Sequence, residues 1–123
     1  MQRFLLKSKI HRVKITDANL GYEGSISIDE KLMEEAYILP YEKVSIWDVN
    51  NGNRFDTYAI VAPKNSGNII VNGAASRLVQ INDVIIIATF ALYDDKESNS
   101  FKPKLVYVNE ENHIVNHPAL SDI

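Results

Sequence analysis

The chain has 123 residues, of which 46% are hydrophobic and 24% charged, with a formal net charge of -3. This composition is typical of one soluble globular domain, whose length allows a core without metal or disulfide support. The absence of cysteine excludes disulfides and thiolate chemistry, and the charge leaves no basic surface of the kind that binds nucleic acid.

No segment predicts membrane insertion or export. The longest apolar run, residues 84–92, is too short to span a bilayer as a helix. Residues 1–12 contain too short an apolar stretch for a signal peptide, and basic residues follow it closely. We therefore expect a cytoplasmic protein that contacts no membrane.

The first predicted strand covers residues 9–16. Alternation places His11, Val13 and Ile15 on one face, with Lys9 at the start of the same face. Polar residues on one strand face more often mark an exposed surface than a site. The pattern by itself therefore assigns no role to Lys9 or His11.

Gly24 and Ser25 mark a turn that becomes a second strand. Ile26 and Ile28 alternate with serines in the two-residue period of a strand. Because Gly-Ser is a common turn pair, Ser25 taken by itself is most simply a turn residue.

A helix is predicted next, over residues 29–39. Asp29 is suited to the N-cap position, and one helical face carries Leu32, Met33 and Ala36. We expect a surface helix with one buried stripe.

Residues 43–62 predict a β-hairpin. Its first strand would direct Val44, Ile46 and Asp48 to one side, opposite Ser45, Trp47 and Val49. The turn at residues 50–53 contains Asn-Gly, which readily adopts positive φ. Residues 54–62 form the return strand, on which Tyr58 alternates with Ile60.

The second half of the chain continues with short elements. Residues 69–79 predict a strand that ends at Asn72 and runs into a short helix. Residues 82–94 predict a strand buried on both faces, with Asn82 in a left-handed conformation. A polar loop (95–103) and a last strand and turn (104–115) follow. Many short strands and two short helices favour a closed barrel or a sandwich.

His113 and His117 have the i, i+4 spacing of a helical metal pair, but the segment is not convincingly helical and Pro118 follows. We therefore predict no metal site. The tail, residues 116–123, has little to bury and is expected to fray.

Five segments together resemble one family, the pyruvoyl-dependent aspartate 1-decarboxylases. They are LKSKIHR, YEGSISID, IWDVNNGNRFDTYAI, VNGAASR and VIIIA, in the family's order and spacing. The resemblance covers most of the chain and weakens after about Leu92. Asn82 stands where members usually have glycine, and the tail matches only loosely.

The resemblance implies a mainly β fold, a double-psi β-barrel with short helices, formed by a single domain of residues 1–123. It also implies self-cleavage between Gly24 and Ser25. The products would be a β chain (1–24) and an α chain (25–123), whose first residue becomes a pyruvoyl group. The implied assembly is a homotetramer of four α and four β chains.

The implied activity is the decarboxylation of L-aspartate to β-alanine and carbon dioxide, for pantothenate and coenzyme A biosynthesis. Decarboxylation leaves a carbanion that needs an electron sink. The sequence has no Gly-rich loop opening a helix to hold pyridoxal phosphate. The resemblance supplies the sink as a pyruvoyl group derived from Ser25, which forms a Schiff base with the substrate.

The resemblance also assigns roles to individual residues. Tyr58 resembles the proton donor, and a phenol is protonated at neutral pH, as a donor must be. Thr57 resembles the residue that assists cleavage and later contacts substrate. Lys9 and Arg54 resemble the ligands of the substrate carboxylates. The substrate-binding loop corresponds to Gly73, Ala74 and Ala75, and supporting positions to His11, Tyr22, Trp47 and Asn72.

Two other interpretations of the sequence stay open. In one, the chain is a non-catalytic small β-barrel binding module in which Gly24 and Ser25 form only a turn. In the other, the chain is a family member that matures slowly or needs an activating partner.

Overall fold

A computed structural model describes residues 1–116. Its strands are β1 (Gln2–Lys14), β2 (Asp17–Asn19), β3 (Ser25–Asp29), β4 (Lys43–Asp48), β5 (Arg54–Ala62), β6 (Ile69–Asn72), β7 (Val84–Asp94), β8 (Lys104–Val108) and β9 (Ile114–Val115). Its helices are α1 (Glu30–Glu35), a 3-10 helix (Gly73–Leu78) and α2 (Asp95–Ser98).

The strands close into a barrel. Hydrogen-bonded neighbours follow the order β2-β6-β3-β5-β4-β7-β1, with β8 and β9 added beyond β1. Because β1 runs directly into β2, the first and last members of this row are one segment of chain. The row therefore closes on itself, and Thr16 N bonds Ile69 O at 2.8 Å at the junction. The predicted fold class, a mainly β double-psi β-barrel with short helices, is confirmed.

Alternating isoleucines fill the barrel. Ile87 of β7 pairs with Ile10 of β1 on one side and with Ile46 of β4 on the other. All three are fully buried, and each buried side chain of this size contributes about 1.5–3 kcal/mol. Because successive residues of a strand point to opposite faces, the residues between them are directed outward.

The prediction that β7 is buried on both faces is wrong. Ile85 and Ile87 are fully buried, but Phe90 and Leu92 are 45% and 48% exposed. A barrel wall has a single inner face, so a continuous apolar strand places half of its side chains on the outside of the barrel.

The predicted face of the first strand is also wrong. The pairing of β1 with β7 shifts register between Ile10 and Val13, and Arg12 has a φ of 64°. This bulge inserts one extra residue. Val13 therefore shares the core face with Ile10, whereas Lys9 lies on the opposite face.

Helix α1 is confirmed but is shorter than predicted. Asp29 caps it by accepting a hydrogen bond from Lys31 N at 2.9 Å. The helix ends because Tyr37 takes a φ of 60°, with Tyr37 N bonded to Glu34 O and Ile38 N to Met33 O. This is a Schellman motif with tyrosine at the position that usually holds glycine.

The predicted turns are confirmed, with one element missed. Gly52 has a φ of 78° in the hairpin turn, and Asn82 has a φ of 76°. Residues 95–98, predicted as loop, form α2, in which Asp94 and Glu97 make a reciprocal capping box. The part of the predicted tail beyond Asn116 lies outside the described residues.

Asp48, the inward polar residue of β4, is 3% exposed. Burial raises its pKa above the ordinary value of 3.8, and the neighbouring Asp83 carboxyl raises the pKa further. Hydrogen bonds from Asn50 N at 2.8 Å and Asn51 N at 3.2 Å oppose this rise. The carboxyl therefore caps the hairpin turn while its ionisation is disfavoured.

We expect the stability contributed by protonated Asp48 to fall as pH rises from about 4 through its raised pKa, because the folded state binds the proton more tightly than the unfolded state. Asp48→Asn keeps the acceptor oxygen but cannot ionise, so it should gain stability relative to the parent over that range. Urea unfolding at pH 4 to 7 measures this, with exposed Glu110→Gln as control. If the difference in unfolding free energy between Asp48→Asn and the parent were the same at every pH in this range, the expectation would be contradicted.

Candidate active site

A cleft of about 650 Å³ lies on the outer side of three adjacent strands, β6, β3 and β5. Its floor is made by outward residues of these strands: Ser25, Ser27, Tyr58, Ile60, Ile70 and Asn72. Its rim is made by β2 and two loops: Asp17, Asn19, Tyr22, Glu23 and Tyr41. The same alternation that buries the isoleucines of these strands builds the floor.

Ser25 is the first residue of β3 and is only 3% exposed. It pairs with Asn72 across the antiparallel β3–β6 ladder. Its Oγ donates to Glu23 O at 3.2 Å and accepts from Asn72 Nδ2 at 3.1 Å. The sheet and these two bonds together fix the orientation of the hydroxyl.

The amide of Asn72 is directed to the cleft rather than to the backbone. Although Asn72 precedes the 3-10 helix, its side chain makes no capping bond. Its Nδ2 also donates to Ser27 Oγ at 3.2 Å. Its Oδ1 is buried without a hydrogen-bond partner among residues 1–116, so it is available to a donor placed beside Ser25.

The backbone around Ser25 is constrained at Gly73. Gly73 has a φ of 74°, and a Cβ there would lie 2.6 Å from Gly24 N and Cα. A Cβ on Gly24 itself would meet nothing within 4 Å, and its φ is not left-handed. The steric need for glycine at this junction therefore lies at Gly73 and not at Gly24.

Tyr58 lies on the other side of Ser25. Ile26 pairs with Ala59 in the parallel β3–β5 ladder, which places Tyr58 beside Ser25 at the end of that ladder. The Tyr41 ring lies 6.3 Å from the Tyr58 ring, at 34°. The cleft thus gathers four of the predicted site residues: Tyr22, Ser25, Tyr58 and Asn72.

The predicted carboxylate ligands lie elsewhere. Arg54 stacks on Trp47, with its Cζ 4.4 Å from the ring centroid. Arg54 is four residues from Tyr58, a separation of roughly 13 Å along β5. Lys9 pairs with Ala88 of β7, which pairs in turn with Ser45 of β4. We call the outward side of β1, β7, β4 and β5 the cation face; it carries Lys9, Trp47, Arg54, Ile86 and Ala88.

Four further predicted residues do not line the cleft. His11 contacts Tyr107 edge-to-face at 5.6 Å, in a separate cleft of about 480 Å³. Thr57 alternates with Tyr58 and so faces the other way. Ala74 is exposed, and Ala75 packs against the core from the 3-10 helix.

The charged residues that line the Ser25 cleft are both acidic, Asp17 and Glu23. Within the described lining there is no lysine or arginine. The described residues therefore supply this cleft with no cation for a carboxylate ligand.

Residues 1–116 contain no group of three His, Asp or Glu side chains that could hold a metal ion. His113 is exposed, and His117 lies outside the described residues. In the same part of the chain, no helix is long and apolar enough to cross a membrane.

Sequence reasoning missed several lining residues, including Ser27 and Tyr41. Ser27 could have been found because it shares the strand parity of Ser25. Tyr41 could not have been found from the sequence, because its place in the cleft depends on a left-handed backbone that bulky residues rarely adopt. The φ of Tyr41 is 70°.

The fold and the cleft define a small closed β-barrel with a concave polar site around a buried serine, a form typical of proteins that act on small molecules. The aspartate decarboxylase family matches residues 1–115, and the chain belongs to this family. The resemblance stated from the five segments is thereby confirmed.

Two aspartate 1-decarboxylases are similar to this chain over most of its length. Aspartate 1-decarboxylase of Thermoanaerobacter pseudethanolicus is 58% identical over 94% of this chain and 99% of its own length. That of Syntrophus aciditrophicus is 58% identical over 93% and 98%. Among solved structures, the rationally designed mkDPBB_sym_86 protein has a TM-score of 0.48 and 13% identity, covering 63% of this chain and 90% of the design.

Gly73→Ala should destabilise the chain by about 2–4 kcal/mol, because left-handed strain and a clash with Gly24 add together. Gly52→Ala is the matched control. Gly52 has a similar φ of 78° but open space around a Cβ, so it should cost about 1–2 kcal/mol. Urea unfolding measures both variants in a Ser25→Ala background, in which the chain stays uncut. Equal losses of unfolding free energy in Gly73→Ala and Gly52→Ala would contradict the clash.

Proposed function

We propose that the protein is a pyruvoyl-dependent aspartate 1-decarboxylase, which converts L-aspartate to β-alanine and carbon dioxide for pantothenate and coenzyme A biosynthesis. The observation that carries the proposal is the junction of an exposed Gly24 with a buried Ser25 whose Oγ is oriented by Asn72. Membership of the aspartate decarboxylase family supports it.

Self-cleavage would produce chains 1–24 and 25–123. Ser25 Oγ attacks the Gly24 carbonyl carbon, and the peptide C–N bond breaks as an ester forms. Loss of the Ser25 Cα proton and of the Cβ–Oγ bond then frees the Gly24 carboxylate. Water hydrolyses the resulting dehydroalanine to a ketone and ammonia. A Cβ on Gly24 would meet nothing within 4 Å, so no other group packs against that side of the cleavage junction.

The residues around Ser25 fit the group that cleavage would create. A pyruvoyl carbonyl supplies the electron sink that decarboxylation requires. Asn72 Oδ1 is a buried acceptor without a partner in residues 1–116 and can bind a donor at that point. Tyr58 would donate a proton to the substrate Cα from the strand beside Ser25.

Substrate carboxylates would be bound by Lys9 and Arg54, with the loop of Gly73, Ala74 and Ala75. The cation face is out of reach of the cleft in its own subunit, because Arg54 is roughly 13 Å along β5 from Tyr58. We therefore propose a homotetramer in which the cation face of one subunit completes the cleft of its neighbour. His11 and Trp47 would join the site in the same assembly.

Exposed apolar side chains support this assembly. Phe4 of β1 pairs with Leu92 of β7, and Leu6 pairs with Phe90, on the outward side of the barrel. Phe4 is 75% exposed. An apolar surface of this kind next to functional residues is typical of a subunit interface.

Intact-mass analysis should find two chains, separated after Gly24, in the parent protein and one chain in Ser25→Ala, which lacks the nucleophile. Ser66→Ala, a loop serine beside Gly67, should cleave like the parent. Parent protein should also release β-alanine from aspartate. A parent chain that stays whole on warming would favour the binding module, and one that cleaves only with cell extract would favour a maturation partner.

Shared sites predict complementation between inactive subunits. Arg54→Ala and Tyr58→Phe should each lose most activity, whereas co-expressed subunits should recover roughly a quarter of the parent activity if they mix at random. One site in four then combines an intact Tyr58 with an intact Arg54 from a neighbour. Arg54→Ala mixed with the Arg54→Ala/Tyr58→Phe double variant is the control. Absence of recovery in the mixed tetramer would place both residues in one subunit's site.

A further inference from the structure

Tyr41 lies at the rim of the cleft in a conformation that its own side chain disfavours. Its φ is 70°, in the left-handed region that bulky residues rarely occupy. Its side chain is 76% exposed, so core packing does not account for this conformation. Such conformations persist only where the surrounding structure imposes them, and they cluster at functional sites.

The backbone of Tyr41 is bonded to the strand that carries Tyr58. Tyr41 N donates to Ala59 O at 2.7 Å, and Ala59 N donates to Glu42 O at 2.9 Å. Ala59 directly follows Tyr58. The two bonds therefore fix the loop at Tyr41 and Glu42 against β5, next to the proposed proton donor.

The segment is also held from its other side. Lys7 Nζ bonds the Glu42 carboxylate at 2.5 Å and Tyr37 O at 2.7 Å. Glu42 Oε1 accepts from Leu39 N at 3.0 Å. The Lys7 and Glu42 side chains are 16% and 24% exposed, so solvent screens this ion pair less than one at the surface. The loop is clamped at residues 37, 39 and 42.

The clamped loop brings the Tyr41 ring over the outer side of Tyr58. The ring centroids are 6.3 Å apart at 34°, within the range of a tilted aromatic pair. We propose that Tyr41 is a positioning residue that restricts the Tyr58 ring and so keeps its hydroxyl directed into the cleft beside Ser25. This inference rests on the proposed function, in which Tyr58 donates the proton.

Asparagine tolerates a left-handed backbone, so Tyr41→Asn removes the ring while keeping the loop conformation. We expect kcat to fall about tenfold with KM within about twofold of the parent, because the donor is misplaced while substrate contacts remain. The melting temperature should stay the same or rise by about 2–5 °C, since backbone strain is relieved. Tyr41→Phe keeps the ring and should retain the parent kcat.

Tyr37→Asn is the matched control, because Tyr37 has a φ of 60° in the same loop but does not line the cleft. It should keep the parent kcat. Rates are normalised to the amount of cleaved chain by intact mass. The role of Tyr41 would be overturned if Tyr41→Asn kept the kcat of the parent. It would also be overturned if Tyr37→Asn lost as much kcat as Tyr41→Asn.

An assay of the parent protein distinguishes a failure of this inference from a failure of the proposed function. If the parent releases no β-alanine, the proposed function fails, and the ring contact is then judged by NMR of ¹³C-labelled tyrosine. Faster ring flipping of Tyr58 in Tyr41→Asn, but not in Tyr37→Asn, supports positioning. An unchanged flip rate overturns it.

Discussion

The cross-strand pairing of Ser25 with Asn72 is the interaction on which the cleft depends. It sets the hydroxyl of Ser25 at 3.1 Å from Asn72 Nδ2 in a position that a flexible turn could not hold. It also places the next residue, Gly73, against the backbone of Gly24. The register of β3 against β6 thus fixes Ser25, the side-chain amide of Asn72 and the peptide bond between Gly24 and Ser25.

That register is maintained by the core and not by the polar residues. Ile26 pairs with Val71 in the same ladder, and both are fully buried. A slip of one residue would turn these side chains outward and Ser25 inward, at a cost of several kcal/mol of apolar burial. The packing of the barrel therefore fixes the position of Ser25.

The sequence predicted what is local. Strand alternation, the cap at Asp29 and the Asn-Gly turn depend on neighbouring residues, and resemblance supplied the site positions. The sequence could not predict the bulge at Arg12, because a bulge is set by pairing with β7. This bulge places Lys9 on the face opposite Val13. Nor could the sequence show that Gly73 carries the steric constraint, since the contact with Gly24 joins residues 49 apart.

The division of the site has a consequence for maturation under the proposed function. Gly24, Ser25 and Asn72 meet within one subunit, so the nucleophile, the bond it attacks and the amide that orients it are present before assembly. Lys9 and Arg54 are not, and the cleft in one subunit carries only the acidic Asp17 and Glu23. Repulsion from these carboxylates disfavours aspartate in an isolated subunit. Substrate binding, unlike the chemistry that makes the electron sink, would therefore require the neighbouring cation face.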